Sequence, residues 1–473
     1  MKKYNKLAVT VLLTAMTAVT ILSGCGTPAK EPGASKDGGK DSSAAAGSTA
    51  GEASEASESV AAGTLEQSGE PVTLRFLSWQ SNHAEVNQAV ADAYHEKNPN
   101  VTVEFEYVGD MNSSEYETKT DIMIMGGEPI DIVMTASIME HTVRAASDSY
   151  LALDSFFEAE GTTASDEFNV IVPVNGHVYG IPAEMKYGMV LINKDMLDEA
   201  GLPVPDLNWT WDDYREYAAK MTKGSGADAI YGSFFRSGGL MNGVSAAKKG
   251  NPYFNDDMTL TFDNPYFSKF LQLRSDLETV DKSSVSTADI KALNMNYRDQ
   301  FFSGKVAMMP LGTYVLSDIG NEKYKHDFMT TFARMPLWEE NDEHYYTAEA
   351  NVFSIARTSE HPQEAFDFLK YWSTEGVTIK GMFLSNEKNA EKMDSTNQII
   401  KNFMDKVDVE ALTAIMQDEK WVDSYEEVTP PYQNELNNIL TEEGDKYLLG
   451  TQSLEETVQN LMKRGNAIIE ENK

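Results

Sequence analysis

The chain has 473 residues, 41% of them hydrophobic and 10% aromatic, with 39 basic against 74 acidic side chains and a formal charge of −35. That length exceeds one ordinary core, so two lobes or domains are expected. The acidity repels nucleic acid and anionic lipid headgroups, and the single cysteine, Cys25, excludes a disulfide within one chain.

Lys2, Lys3 and Lys6 precede an apolar segment over residues 7–22 that four threonines interrupt. The segment is short for a membrane span and suits a secretory leader. Leu22-Ser23-Gly24-Cys25 follows and resembles the bacterial lipobox. The resemblance implies a lipoprotein signal peptide over 1–24 and lipidation of Cys25; an ordinary signal peptide ending near a cysteine is the plainer alternative. Two acyl chains suffice for stable anchoring. Residues 25–70 carry that cysteine and then Ala, Ser, Gly, Glu and Asp with almost no large apolar side chain. Such a segment cannot offset its chain entropy by burial and reads as a flexible tether with a reach of roughly 35–40 Å.

Val72, Leu74 and Phe76 alternate with polar residues, as a half-buried strand does. A helix is expected over 83–97, a second strand at Val101, Val103, Phe105 and Tyr107, a second helix over 114–125 and a buried strand over 130–134. This βαβαβ order implies a parallel sheet with right-handed crossovers. Ligands of such sheets sit beyond the carboxyl ends of the strands, here Ser78-Trp79-Gln80 and Thr135-Ala136-Ser137. Trp79 reads equally as core or as ligand contact, and Asp131 as a structural residue at a strand start.

Residues 178–222 follow. Val178 to Ile181 reads as a short strand stopped by Pro182, and 189–192 as a separate one. Asn193 caps a short helix that ends at Gly201. Thr210 and Asp213 form a capping box for a helix with Trp211, Tyr214, Ala218 and Met221 on one face. Residues 231–236 read as a strand ending at Arg236, Asn264 starts a helix, and residues 299–314 give a helix end, a turn at Gly304, a strand, and Gly312-Thr313-Tyr314 at a helix start. Residues 352–356 read as a strand and 362–373 as a helix with Trp372 in the core. Residues 454–468 have helical periodicity.

The pattern YG-x-P, N-K-D-x-L, A-G-L, T-W-x-D-Y and A-x-x-M-T over residues 179–222 resembles the family 1 extracellular solute-binding proteins, the sugar-capturing subunits of bacterial ABC importers. Residues 126–133, 301–314 and 353–371 resemble further blocks of the same family. The resemblance implies an α/β, two-lobed periplasmic-binding-protein-like fold (type II-like), with a cleft between lobes joined by multiple crossover segments. It implies lobes at 71–182 plus 328–375 and at 183–327 plus 376–473, with a hinge near residues 181–184. From the resemblance and from strand-end position, the ligand-binding candidates are Trp79, Ser137, Glu184, Lys186, Tyr187, Arg236, Thr313, Tyr314, Glu349 and Asn351, with Trp338 as an aromatic platform. The implied partners are a carbohydrate and the permease subunits of an ABC transporter at the outer face of a Gram-positive membrane; the chain is expected to be a monomer, without cofactor or metal.

No nucleophile elbow, P-loop or HExxH motif occurs, and the seven histidines show no metal-ligand spacing. The enzyme alternative is a glycoside hydrolase using Glu184 and Glu349. A binding subunit for a polyamine or peptide, or a ligand sensor, remains open beside import.

Overall fold

The computed structural model describes residues 70–472, apart from residues 110–111, 169, 237, 341, 385–404, 421 and 426–427. The expected signal peptide, Cys25 and all but the last residue of the tether lie outside the described residues. No described helix is long and apolar enough to cross a membrane.

Strand β1 (Val72–Ser78) is followed by helix α1 (Ala84–Lys97), strand β2 (Val101–Tyr107), helix α2 (Ser113–Met125), strand β3 (Ile132–Thr135) and helix α3 (Ile138–Ala146). β1 pairs in parallel with β2 on one side and β3 on the other, as the βαβαβ reading requires. The Asn112 side chain accepts from the Glu115 amide to start α2, and Ser137 does the same for α3 from the Glu140 amide. Asp131 is structural: it accepts from the Arg75 amide at 2.9 Å and from the Ser359 hydroxyl at 2.6 Å.

Strand β4 (Ile181–Asn193) departs from the sequence reading. It is one strand of 13 residues and runs through Pro182 instead of stopping there. The pairing register shifts between Pro182 and Glu184, so a bulge absorbs the missing donor, as prolines within sheets require. Helix α4 (Lys194–Glu199) is capped by Asn193 and ends before Gly201, whose φ of +69° favours glycine. Helix α5 (Trp211–Met221) buries Trp211, Tyr214, Ala218 and Met221, and both halves of its capping box form between Thr210 and Asp213. Thr210→Ala is expected to lower stability by about 1 kcal/mol, read as a lower urea midpoint at unchanged slope.

Strand β5 (Tyr231–Ser233) is shorter than expected, because the chain turns away through Gly238 and Gly239 at φ +88° and +64°. Helix α6 (Pro265–Thr279), strand β6 (Val306–Gly312), strand β7 (Thr330–Arg334) and strand β8 (Tyr346–Ile355) follow. Helix α7 (Pro362–Tyr371) continues through a π turn at Trp372–Gly376 into a short helix, Val377–Lys380. Helices α8 (Gln433–Leu448) and α9 (Leu454–Glu471) end the chain.

The sheet order is β2-β1-β3-β8-β4-β6-β5, with β7 also on β4. The first half of β4 pairs with β8 and the second half with β6 and β7, all antiparallel. β4 therefore belongs to both half-sheets, and the chain returns from β7 in one to β8 in the other. One apolar core surrounds Phe76, Phe353 and Trp372 beneath β1, β3 and α7. Others form around β4 and β6, and beneath α8 and α9.

Candidate functional site

Side chains two apart on a strand share a face, and the β4–β8 register sets Glu184 opposite Asn351 and Lys186 opposite Glu349. The four therefore lie together at the junction of the half-sheets, and Glu184, Asn351 and Lys186 form a hydrogen-bonded string with Glu349 beside it. Asn351 donates to Glu184 Oε2 at 2.6 Å and accepts at Oδ1 from Lys186 Nζ at 3.0 Å. Lys186 also donates to the Ala136 carbonyl, just past the end of β3, at 2.7 Å, and stands 3.8 Å from Glu349. At the other end Glu184 Oε1 accepts from Lys380 Nζ at 2.6 Å and from Trp372 Nε1 at 3.2 Å. Lys380 donates a second bond to Gln80, beyond β1, at 2.5 Å.

Burial grades along the string. Glu184 and Lys380 have fully buried side chains, whereas that of Glu349 is 62% exposed. Burial works against the Glu184 charge, but Lys380 and Asn351 more than offset it and hold the carboxyl below its ordinary range. Burial lowers the pKa of Lys186, with Glu349 and Glu184 pulling the other way.

A second group gathers where β5 and β6 end. Arg236 is exposed and donates from Nη1 to the Tyr314 hydroxyl at 3.1 Å. Thr313 is buried and its hydroxyl accepts from the Tyr187 amide at 3.0 Å, which fixes the turn to β4. The Arg298 guanidinium lies 4.7 Å from the Tyr297 ring and 5.9 Å from the Tyr314 ring, and bonds Asp318 at 2.6 Å. Asp318 also accepts from Asn82 at 3.4 Å, and Ser317 is 3.3 Å from His83. The turn after β1 thus meets the turn after β6.

The two groups share an electrostatic neighbourhood: Arg236 acts on Lys186, and Glu349 on both. Of the residues expected at a ligand, Arg236, Tyr314, Glu349 and the half-buried Ser137 present surface to solvent. Glu184, Lys186, Tyr187, Thr313 and Asn351 are buried and bonded within the protein. Trp79 is 9% exposed and packs on Tyr116 at 5.3 Å. Trp338 stands apart: it stacks on Tyr266 at 5.6 Å and donates to the Gly243 carbonyl.

Sequence reasoning missed Asn82, His83, Tyr297, Arg298, Asp318 and Lys380. Asn82 and His83 adjoin a strand end already marked as a ligand position, so that signal reached them. Lys380 lies 196 positions from Glu184, and nothing local announces the pair. Among the described residues no group of three or more His, Cys, Asp or Glu side chains is placed to hold a metal ion.

Two half-sheets joined by long strands, with polar groups converging on the junction, define a two-lobed α/β binding protein. The chain belongs to the bacterial extracellular solute-binding protein family, whose model matches residues 80–379. The arabinooligosaccharide-binding protein of Halalkalibacterium halodurans is 23% identical over 219 residues, 46% of this chain and 47% of that protein, so the match spans about half of that relative. An ABC substrate-binding protein of Listeria monocytogenes, solved with cycloalternan, superposes with a TM-score of 0.69 at 18% identity, covering 85% of this chain and 99% of that one. UgpB of Mycobacterium tuberculosis, solved with glycerophosphocholine, gives 0.67 at 14% identity, covering 85% and 100%. Family and neighbours are binding proteins.

Proposed function

We propose that the site binds a carbohydrate, an oligosaccharide, and that the protein delivers it to the permease of an ABC importer. One observation carries the reading: the exposed residue Arg236 bonds the hydroxyl of half-buried Tyr314, and the exposed Glu349 lies within electrostatic reach of Arg236. A donor, an acceptor and an aromatic face together match the hydroxyls and apolar faces of a sugar. The arabinooligosaccharide and cycloalternan relatives favour the same class. The lobes are 71–182 plus 328–375 and 183–327 plus 376–473, and the bulge at Pro182 is the hinge. Cys25 is the lipid anchor and holds a monomer at the outer face of a Gram-positive membrane. Full burial of Glu184 under three donors argues against its pairing with Glu349 as a hydrolase.

Thermal unfolding against a panel of mono- and oligosaccharides tests this. A sugar at about 100 times its dissociation constant stabilises the fold by about 2.7 kcal/mol. Arg236→Ala and Glu349→Gln are each expected to weaken that sugar roughly 10–100-fold by calorimetry, as loss of a charged hydrogen bond does, with the unfolding midpoint of the free protein unchanged. A second reading, a phosphorylated polyol, draws on the spare donors of Arg236 and on the glycerophosphocholine complex of a neighbour. Stabilisation by glycerophosphocholine, polyamines or peptides but by no sugar would sink the carbohydrate assignment. Consumption of the bound sugar would restore the hydrolase.

A further inference from the structure

The turn that carries Arg236 is gripped from beneath by a buried cation that takes no part in the site described above. Arg274, on α6, has a side chain only 3% exposed. Its Nη1 donates to the Gly238 carbonyl at 3.4 Å, two residues after Arg236, and its guanidinium lies 5.0 Å over the ring of Phe235, one residue before it. Gly238 and Gly239 both sit at positive φ, so the turn is built from the least constrained residues in the chain. Leu240 and Met241 then sink into the core beneath α8.

Arg274 is poorly bonded for a buried charge. Its nearest carboxylate, Glu278, is 4.0 Å away and already accepts from the Thr287 amide at 2.7 Å and the Thr287 hydroxyl at 2.9 Å. Among the described residues its Nε has no partner. Beside it lies a cavity of about 10 Å³ bounded by Phe235, Gly238, Leu240, Arg274, Thr287 and Asp445, room for about one water. A buried guanidinium left short of hydrogen bonds costs stability, and an apolar side chain of similar length would fill the same space without that cost. What only the cation supplies is a simultaneous hold on the residues flanking Arg236.

We infer that Arg274 is a positioning residue of the solute site: it fixes the turn around Arg236, and so serves solute affinity instead of fold stability. The affinity part rests on the reading that Arg236 touches the solute. Three variants test it: Arg274→Met, Arg274→Lys, and Arg274→Met with Glu278→Gln, which leaves no buried carboxylate without its counter-ion. The first readout needs no solute. Hydrogen exchange at the amides of Gly238 to Met241 in the free protein is expected to quicken at least about tenfold in both Met variants, while the unfolding midpoint of the double variant is unchanged or raised. The second uses arabinotriose and maltotriose by calorimetry. Arg274→Met weakens whichever trisaccharide binds by roughly tenfold, Arg274→Lys recovers part of the loss, and the effect disappears in an Arg236→Ala background. Unchanged exchange overturns the inference whatever binds, as does an equal loss of affinity with and without Arg236. If neither trisaccharide binds the parent, the exchange result alone decides whether Arg274 holds the turn, and the sugar panel above decides the carbohydrate reading.

Discussion

Lys380→Met is expected to destabilise the protein by about 3–5 kcal/mol, the cost of leaving one partner of a buried ion pair uncompensated. Both side chains of the Lys380–Glu184 pair are fully buried, at 2.6 Å. The ammonium is also shared with Gln80 and lies 5.5 Å from the Trp372 ring. Without it Glu184 keeps the Trp372 and Asn351 donors but loses its only close counter-ion among the described residues. The pair also ties β4, where the chain crosses between half-sheets, to the short helix after the π turn. Adding Glu184→Gln to Lys380→Met is expected to recover part of the loss, because a neutral amide still accepts from Trp372 and needs no counter-ion, although its NH2 then faces the Asn351 donor. Urea unfolding of the parent, the single and the double variant checks this. A single variant within about 1 kcal/mol of the parent would mean that the pair contributes little net stability in place.

The order of elements was largely legible because local chemistry and tertiary context agree. Asn193, Thr210 with Asp213, and Asn264 each cap the helix that their spacing announces. Trp372 lies in the core, as its helical face implies. Pro182 misled, because a proline reads as a strand end unless a bulge accommodates it; here the extra residue is Ala183 on β4 itself, and the partner that sets this register, β8, lies about 170 residues away. Of the residues expected at the ligand, Glu184, Lys186, Glu349 and Asn351 lie together at the β4–β8 pairing and Arg236, Thr313 and Tyr314 where β5 and β6 end, whereas Trp338 stands apart. Which of them face solvent was not legible. Glu184 and Glu349 are both acids on crossover strands, yet one is sealed by a lysine distant in sequence and the other is open. The helix that starts at Asn264 places Arg274 on its mixed apolar face with Phe267, Phe270, Leu271 and Leu273, but nothing local marks it as a hold on the turn of Arg236.

Stability is expected to peak near pH 6, with limbs of opposite origin. His141 and His344 are pushed down to about 3, by burial first and then by Arg144 and Arg334 respectively. His141 is stacked on Tyr150 and bonded to Ser354, and His344 faces the Met335 carbonyl. Below pH 6.5 the unfolded chain takes up protons at these rings that the folded chain refuses. Their contribution is therefore complete above pH 6.5 and lost as pH falls toward 3, roughly 2 kcal/mol for each at pH 5. Glu117 has the opposite sign. Burial, then the neighbouring Glu140 carboxylate, raises it to about 8, against the pull of Arg144 at 3.8 Å. Its folded form keeps a proton that the unfolded chain releases above about pH 4.5, so stability is lost as pH rises through 8. Glu117→Gln removes that titration while keeping a donor beside Glu140. It is expected to flatten the alkaline limb and raise stability at pH 8 by roughly 2–4 kcal/mol, with little change at pH 4.5. Urea midpoints of parent and variant across pH 4.5 to 8.5 give the difference curve, in which titrations common to both cancel. Parallel curves would place the Glu117 carboxyl in its ordinary range and leave the alkaline limb to other groups.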